Sequence, residues 1–89
     1  MSTHATHPDI IKRLKRAAGH LQSVVAMLEE GKSCLEIAQQ MQAVESAISN
    51  AKKTLVRDHI DHCLEHAMGH DKHSAQNAVI EFKAITKYL

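Results

Sequence analysis

The chain has 89 residues, of which 44% are hydrophobic and only 2% aromatic, with three glycines, one proline and no tryptophan. This makes one small domain, 1–89, near the lower limit at which a single core stabilises itself, so a partner chain or a bound metal is expected to help. The formal net charge of +1 does not by itself point to nucleic acid, and no apolar run approaches the roughly 18–20 residues of a membrane span.

The opening stretch, MSTHATHPDI, lacks the charged-then-apolar layout of a signal peptide. A cytoplasmic location with reduced thiols is therefore expected. Residues 1–7 read as a flexible arm carrying His4 and His7.

The spacing predicts a first helix over 8–30. Pro8 suits a first turn, and Asp9 beside it favours the positive end of the helix dipole. Ile11, Leu14, Ala18, Leu21, Val25 and Leu28 recur at steps of three and four, an amphipathic stripe. Gly31 is placed to end the helix.

Ser33 and Glu36 have capping-box spacing and predict a second helix over 33–68, since neither glycine nor proline recurs before Gly69. Along it, Ile37, Met41, Val44, Ile48, Ala51 and Leu55 alternate steps of four and three, a heptad-like seam that implies a long helical partner. Residues 68–73 read as a loop. Ser74 then caps a third helix over 74–88, carrying Ala78, Val79, Phe82 and Ile85. No segment alternates strictly as a half-buried strand does, so the expected class is all-α, with three helices per protomer.

His59 and Cys63 stand four positions apart near the end of the long helix, the spacing that lets two side chains grip one ion. Cys34 opens the same helix 25 positions before His59. At 1.5 Å per residue that is about 38 Å, too far for one protomer to close the site. If two long helices pack antiparallel, setting Cys34 against the partner's His59 and Cys63 puts the two-fold axis near residues 47–48, where the seam is also centred. Packing and ligand positions thus agree on one register, with two equivalent sites per dimer.

Two thiolates and one imidazole suit trigonal Cu(I), or Ni(II), Co(II) or Zn(II) with added nitrogen ligands. His4 and His7 in the arm are candidates for those extra ligands. His20 fits either a hydrogen-bonded core residue or a supplementary ligand. His62 and His66 also stand four apart but point about 90° or more from the His59/Cys63 face, and read either as polar surface or as a second site, while His70 and His73 fall in the loop.

Lys12, Arg13, Lys15 and Arg16 crowd one and a half turns, and Lys52, Lys53 and Arg57 add a second basic patch. Acidic residues gather elsewhere, so charge is segregated as a phosphate footprint requires. There is no helix-turn-helix or zinc-finger pattern. A DNA reader of this kind would use a basic surface repeated by symmetry. No H-E-x-x-H, nucleophile elbow or glycine-rich phosphate loop occurs, and no enzyme is expected.

From RLKRAAGHL through SCLEIAQQMQAVESAI to DHIDHC, the chain resembles the CsoR/RcnR/FrmR family of small helical repressors. The resemblance implies tetramers, dimers of dimers, that hold operator DNA when apo and release it on ligand binding. It implies a Cys–His–Cys metal triad at Cys34, His59 and Cys63, a DNA surface including Lys12, Arg13, Lys15 and Arg16, and a carboxylate behind the ligands for which Glu81 is the candidate. Glu45 and Ser46 stand where much of the family has Arg and Gly, with Lys52 and Lys53 available to restore the charge. Ser33 stands where a copper sensor can carry Tyr, while an N-terminal histidine resembles the nickel/cobalt branch.

The reading is a metal-responsive transcriptional repressor for Cu(I) or Ni(II)/Co(II). Its alternatives are a formaldehyde- or thiol-reactive repressor of the same fold, or a metal storage or chaperone bundle that does not bind DNA.

Overall fold

The structure is a computed structural model and describes residues 6–67 and 72–89. Three helices follow in order: α1 over His7–Glu29, α2 over Cys34–Ala67 and α3 over Lys72–Ile85, closed by a 3-10 turn over Thr86–Tyr88. The fold is all-α, and no strand occurs among the described residues.

Local chemistry sets the turn between α1 and α2. Gly31 adopts φ 72°, a left-handed conformation that side chains rarely enter. The Lys32 N–H then donates to the Met27 carbonyl at 3.0 Å and the Gly31 N–H to that of Leu28 at 3.2 Å, the Schellman pattern. Beyond the turn, the Glu36 N–H donates to Ser33 Oγ at 3.2 Å. Ser33 is thus the N-cap, and Cys34 is the first residue of α2.

α1 begins at His7, one residue before Pro8, so His7 belongs to the helix rather than to a free arm. α3 begins at Lys72, two residues before Ser74, so neither Lys72 nor His73 is loop. Asn77 stands where a capping box from Ser74 would need Glu or Gln, so nothing local holds the boundary at Ser74. The remaining loop residues, 68–71, and the arm residues 1–5 with His4 lie outside the described residues.

α2 packs against both neighbours. The buried positions are Ile10, Ala17 and Val24 on α1, Ile37, Val44, Ala51, Val56 and Cys63 on α2, and Ala78 on α3. Val24, Ile37 and Val44 form one cluster, with Met27 against it. The seam on α2 is therefore divided. Ile37, Val44 and Ala51, seven apart, are used within the chain, whereas Met41, Ile48 and Leu55, also seven apart, stay exposed.

α1 divides in the same way. Ile11, Leu14, Leu21, Val25 and Leu28 of its predicted stripe are exposed, and the row one position earlier, through Ile10, Ala17 and Val24, is buried.

The protomer measures 59 × 23 × 13 Å with a radius of gyration of 18.0 Å. A compact chain of this length would have about 12 Å. Its thinnest dimension is close to the 10–12 Å of one helix, so the protomer is a single layer with no second layer over its apolar face.

Candidate metal centre

The C-terminal part of α2 and the middle of α3 bring three ligand types together. His59, Cys63 and Glu81 each present one donor atom, and all three atoms lie within 4.8 Å of one another. Glu81 Oε2 stands 3.4 Å from His59 Nε2, and Cys63 Sγ points at the same oxygen from 4.0 Å. The one-turn spacing on α2 places imidazole and thiol side by side, and α3 carries the carboxylate across to them.

Burial differs within the cluster. Cys63 is 2% exposed, whereas the side chains of His59 and Glu81 are 27% and 59% exposed. Burial pushes the Cys63 thiol above its ordinary range, and the negative charge of Glu81 pushes it the same way. A cation here would replace the thiol proton and compensate the carboxylate. Sulfur, nitrogen and oxygen donors on one side, open to solvent on the other, are a donor set that fits a transition-metal ion.

Cys34 is not brought to this cluster. It is exposed at the far end of α2. Because helical residues advance about 100° each, Cys34, His59 and Cys63 nevertheless project within about 40° of one another around α2, with Cys34 between the other two. The exposed row Met41, Ile48 and Leu55 runs beside them.

The other histidines are placed as follows. His20 is half-buried, and its Nε2 lies 2.6 Å from Gln40 Oε1 on α2, so it is a hydrogen-bonding link between helices. His62 is half-buried rather than surface, with its ring 6.4 Å from that of His59 and tilted by 44°. The two are three positions apart on one helix, which keeps them neighbours. His73 is exposed on α3. The backbone of His66 is in α2, and His70 lies outside the described residues.

The basic residues Lys12, Arg13, Lys15, Arg16, Lys52, Lys53 and Arg57 are all exposed. Lys12, Arg13 and Arg16 line an open groove of about 390 Å³ between α1 and α2, together with Asp9, His20, Ala47 and Asn50. Arg13 is engaged by Asp9 at 2.8 Å. A second groove on the outer face of α2 is lined by Asn50 and Lys53 with Gln42, Glu45, Ser46 and Ser49. Asn50, which composition and charge did not single out, therefore joins the α1 basic residues to Lys53. Lys52 and Arg57 line neither groove. No helix among the described residues is long and apolar enough to cross a membrane.

Comparison with known proteins gives a consistent picture. The family model for metal-sensitive transcriptional repressors matches residues 6–87. The copper-sensing transcriptional repressor RicR of Mycobacterium tuberculosis is 32% identical over 73 residues, covering 82% of this chain and 76% of RicR. The copper-sensing transcriptional repressor CsoR of Bacillus subtilis is 32% identical over 80 residues, covering 88% of this chain and 79% of that protein. Against the mycobacterial CsoR proteins, the matched stretch covers 50% to 60% of their length. The structure of the nickel-responsive transcriptional regulator InrS has the same fold, with a TM-score of 0.82 at 23% identity over 100% of this chain and 99% of that one. The chain belongs to the family of metal-sensitive transcriptional repressors, regulators and not enzymes.

Proposed function

We propose that the chain represses transcription by binding operator DNA when apo and lets go when Cu(I) or Ni(II)/Co(II) binds between two protomers. The ion is held by Cys34 of one protomer and by His59 and Cys63 of its partner. The observation that carries this reading is the shared face of α2. Cys34, His59 and Cys63 project the same way from opposite ends of a helix whose centre exposes Met41, Ile48 and Leu55.

An antiparallel partner helix covers that row with its own copy. Ile48 then faces Ile48, Met41 faces Leu55, and Cys34 falls beside the His59/Cys63 pair. The exposed stripe on α1, Ile11, Leu14, Leu21, Val25 and Leu28, supplies further apolar surface for the same contact. Two such layers make the two-layer core that one protomer lacks. Pairing of dimers into a tetramer follows from the family resemblance.

DNA is held by the basic groove on α1, with Lys12, Arg13 and Arg16, continued through Asn50 to Lys53. Lys15, Lys52 and Arg57 add exposed charge around it. Cys34 directly follows the Gly31–Ser33 turn that ends α1, so pulling Cys34 onto an ion re-aims the helix that carries the basic groove. The ion needs only differential affinity for the two arrangements, and a coupling of about 1–3 kcal/mol is typical of such switches. The names of the relatives favour copper, and the nickel-responsive fold neighbour keeps a divalent ion in play.

The test is an anaerobic titration of the DNA-bound chain with Cu(I) and separately with Ni(II), following operator release. Release at one ion per protomer, abolished by Cys34→Ala with apo DNA binding intact, supports the reading. DNA release that survives Cys34→Ala removes Cys34 from the switch.

A further inference from the structure

We infer that Glu81 is a metal ligand in its own right, completing a four-coordinate site for a divalent ion and standing aside for Cu(I). This deepens the metal-site reading above and rests on it.

The geometry supplies the first argument. Ligand atoms around a tetrahedral ion of this size stand about 3.3–3.7 Å apart. Glu81 Oε2 is already 3.4 Å from His59 Nε2 and 4.0 Å from Cys63 Sγ. One carboxylate oxygen thus faces both other donors, and small side-chain movements bring all three onto one centre. More than half of the Glu81 side chain is open to solvent, so an ion reaches it without unfolding α3.

Ligand chemistry supplies the second. Cu(I) is satisfied by two thiolates and one imidazole in a plane, and a carboxylate oxygen adds little for so soft an ion. Zn(II) and Co(II) take four ligands and accept oxygen readily. Cys34 of one protomer with His59, Cys63 and Glu81 of the other makes a closed set of two sulfurs, one nitrogen and one oxygen.

The role of Glu81 therefore depends on the ion. With a divalent ion, Glu81 and His59 would both serve as ligands, which would tie α3 to α2. With Cu(I), Glu81 would instead accept a hydrogen bond from the His59 ring and only orient it. Glu81 is the residue by which this chain discriminates between the two classes of ion.

The experiment compares wild type, Glu81→Gln and Glu81→His by competitive anaerobic titration with Co(II) and with Cu(I), reading Co(II) visible absorption as well. Glu81→Gln keeps the shape but loses a good ligand atom, so Co(II) affinity falls more than about 10-fold while Cu(I) affinity stays within about threefold. Glu81→His returns Co(II) binding, with absorption bands shifted by the exchange of oxygen for nitrogen. Equal losses for both ions, or no loss for either, overturn the assignment, as does a wild-type chain that binds Cu(I) but no Co(II). The inter-subunit reading is tested separately by Cys34→Ala, which weakens both ions. If Cys34→Ala changes neither, that reading fails while the Glu81 comparison still reads out on His59 and Cys63.

Discussion

Glu81 on α3 and His59 on α2 meet at 3.4 Å, carboxylate Oε2 to imidazole Nε2. The contact lies beside the most buried thiol of the chain and couples the packing of α3 to whatever occupies the imidazole. The three donors of the cluster thus stand on two helices of one protomer, and the proposed inter-subunit site adds Cys34 of a second.

Burial and the neighbouring carboxylate both raise the Cys63 thiol above its ordinary value of 9.0. In Cys34→Ser, where Cys63 is the only thiol, ultraviolet thiolate absorption should rise later than in a free peptide. The neutral form is the one the fold favours, so the stabilisation is full below the ordinary thiol range and is lost as pH rises through the folded value. Apo protein should therefore soften in strongly alkaline buffer. A Cys63 midpoint at or below the ordinary thiol range contradicts the burial argument.

The divided seam separates folding from assembly. Val44, 5% exposed, serves the protomer's own core, so Val44→Ala should destabilise the chain by about 1–3 kcal/mol in urea. Ile48, 45% exposed, lies near the proposed axis. Ile48→Glu would set two carboxylates against each other, and sedimentation equilibrium should show loss of the dimer with helical content kept at high protein concentration. A dimer that tolerates this change has its axis elsewhere.

The start of α2, its long course and the turn at Gly31 were legible because capping and glycine chemistry are local. Ser33 and Gly31 do in space what their residue types dictate. The seam was legible as a stripe, but not its division, because rows one residue apart, such as Ile10 and Ile11, have the same hydrophobicity and only tertiary packing chooses between them. The pairing of Glu81 with His59 and Cys63 depends on where α3 begins and how it lies on α2. Nothing in the local sequence fixed that boundary, since Asn77 stands where a capping box from Ser74 would need Glu or Gln. His20 had two chemically sensible roles, and Gln40 on the neighbouring helix supplies the partner for the hydrogen-bonded one.

Phosphate binding should show in salt dependence. Lys12→Ala and Arg16→Ala each remove one exposed charge from the groove on α1. Each should weaken operator binding and lower the slope of log affinity against log salt by about 1. Asp9→Asn frees Arg13 from its 2.8 Å ion pair and should tighten DNA modestly, because an exposed pair of this kind is worth at most about 1 kcal/mol. Unchanged slopes would move the DNA surface off α1.

The central claim is that one site takes ligands from two chains, and subunit mixing tests it most directly. Cys34→Ala and His59→Ala/Cys63→Ala are each titrated alone with Cu(I) in competition with a chelator, then mixed and allowed to exchange subunits, with heterodimers counted by native mass spectrometry. The account predicts that neither parent binds tightly and that each heterodimer regains one intact site, made of Cys34 from one chain with His59 and Cys63 from the other. Exchange without any recovered site, or full tight binding by the Cys34→Ala parent alone, would contradict it.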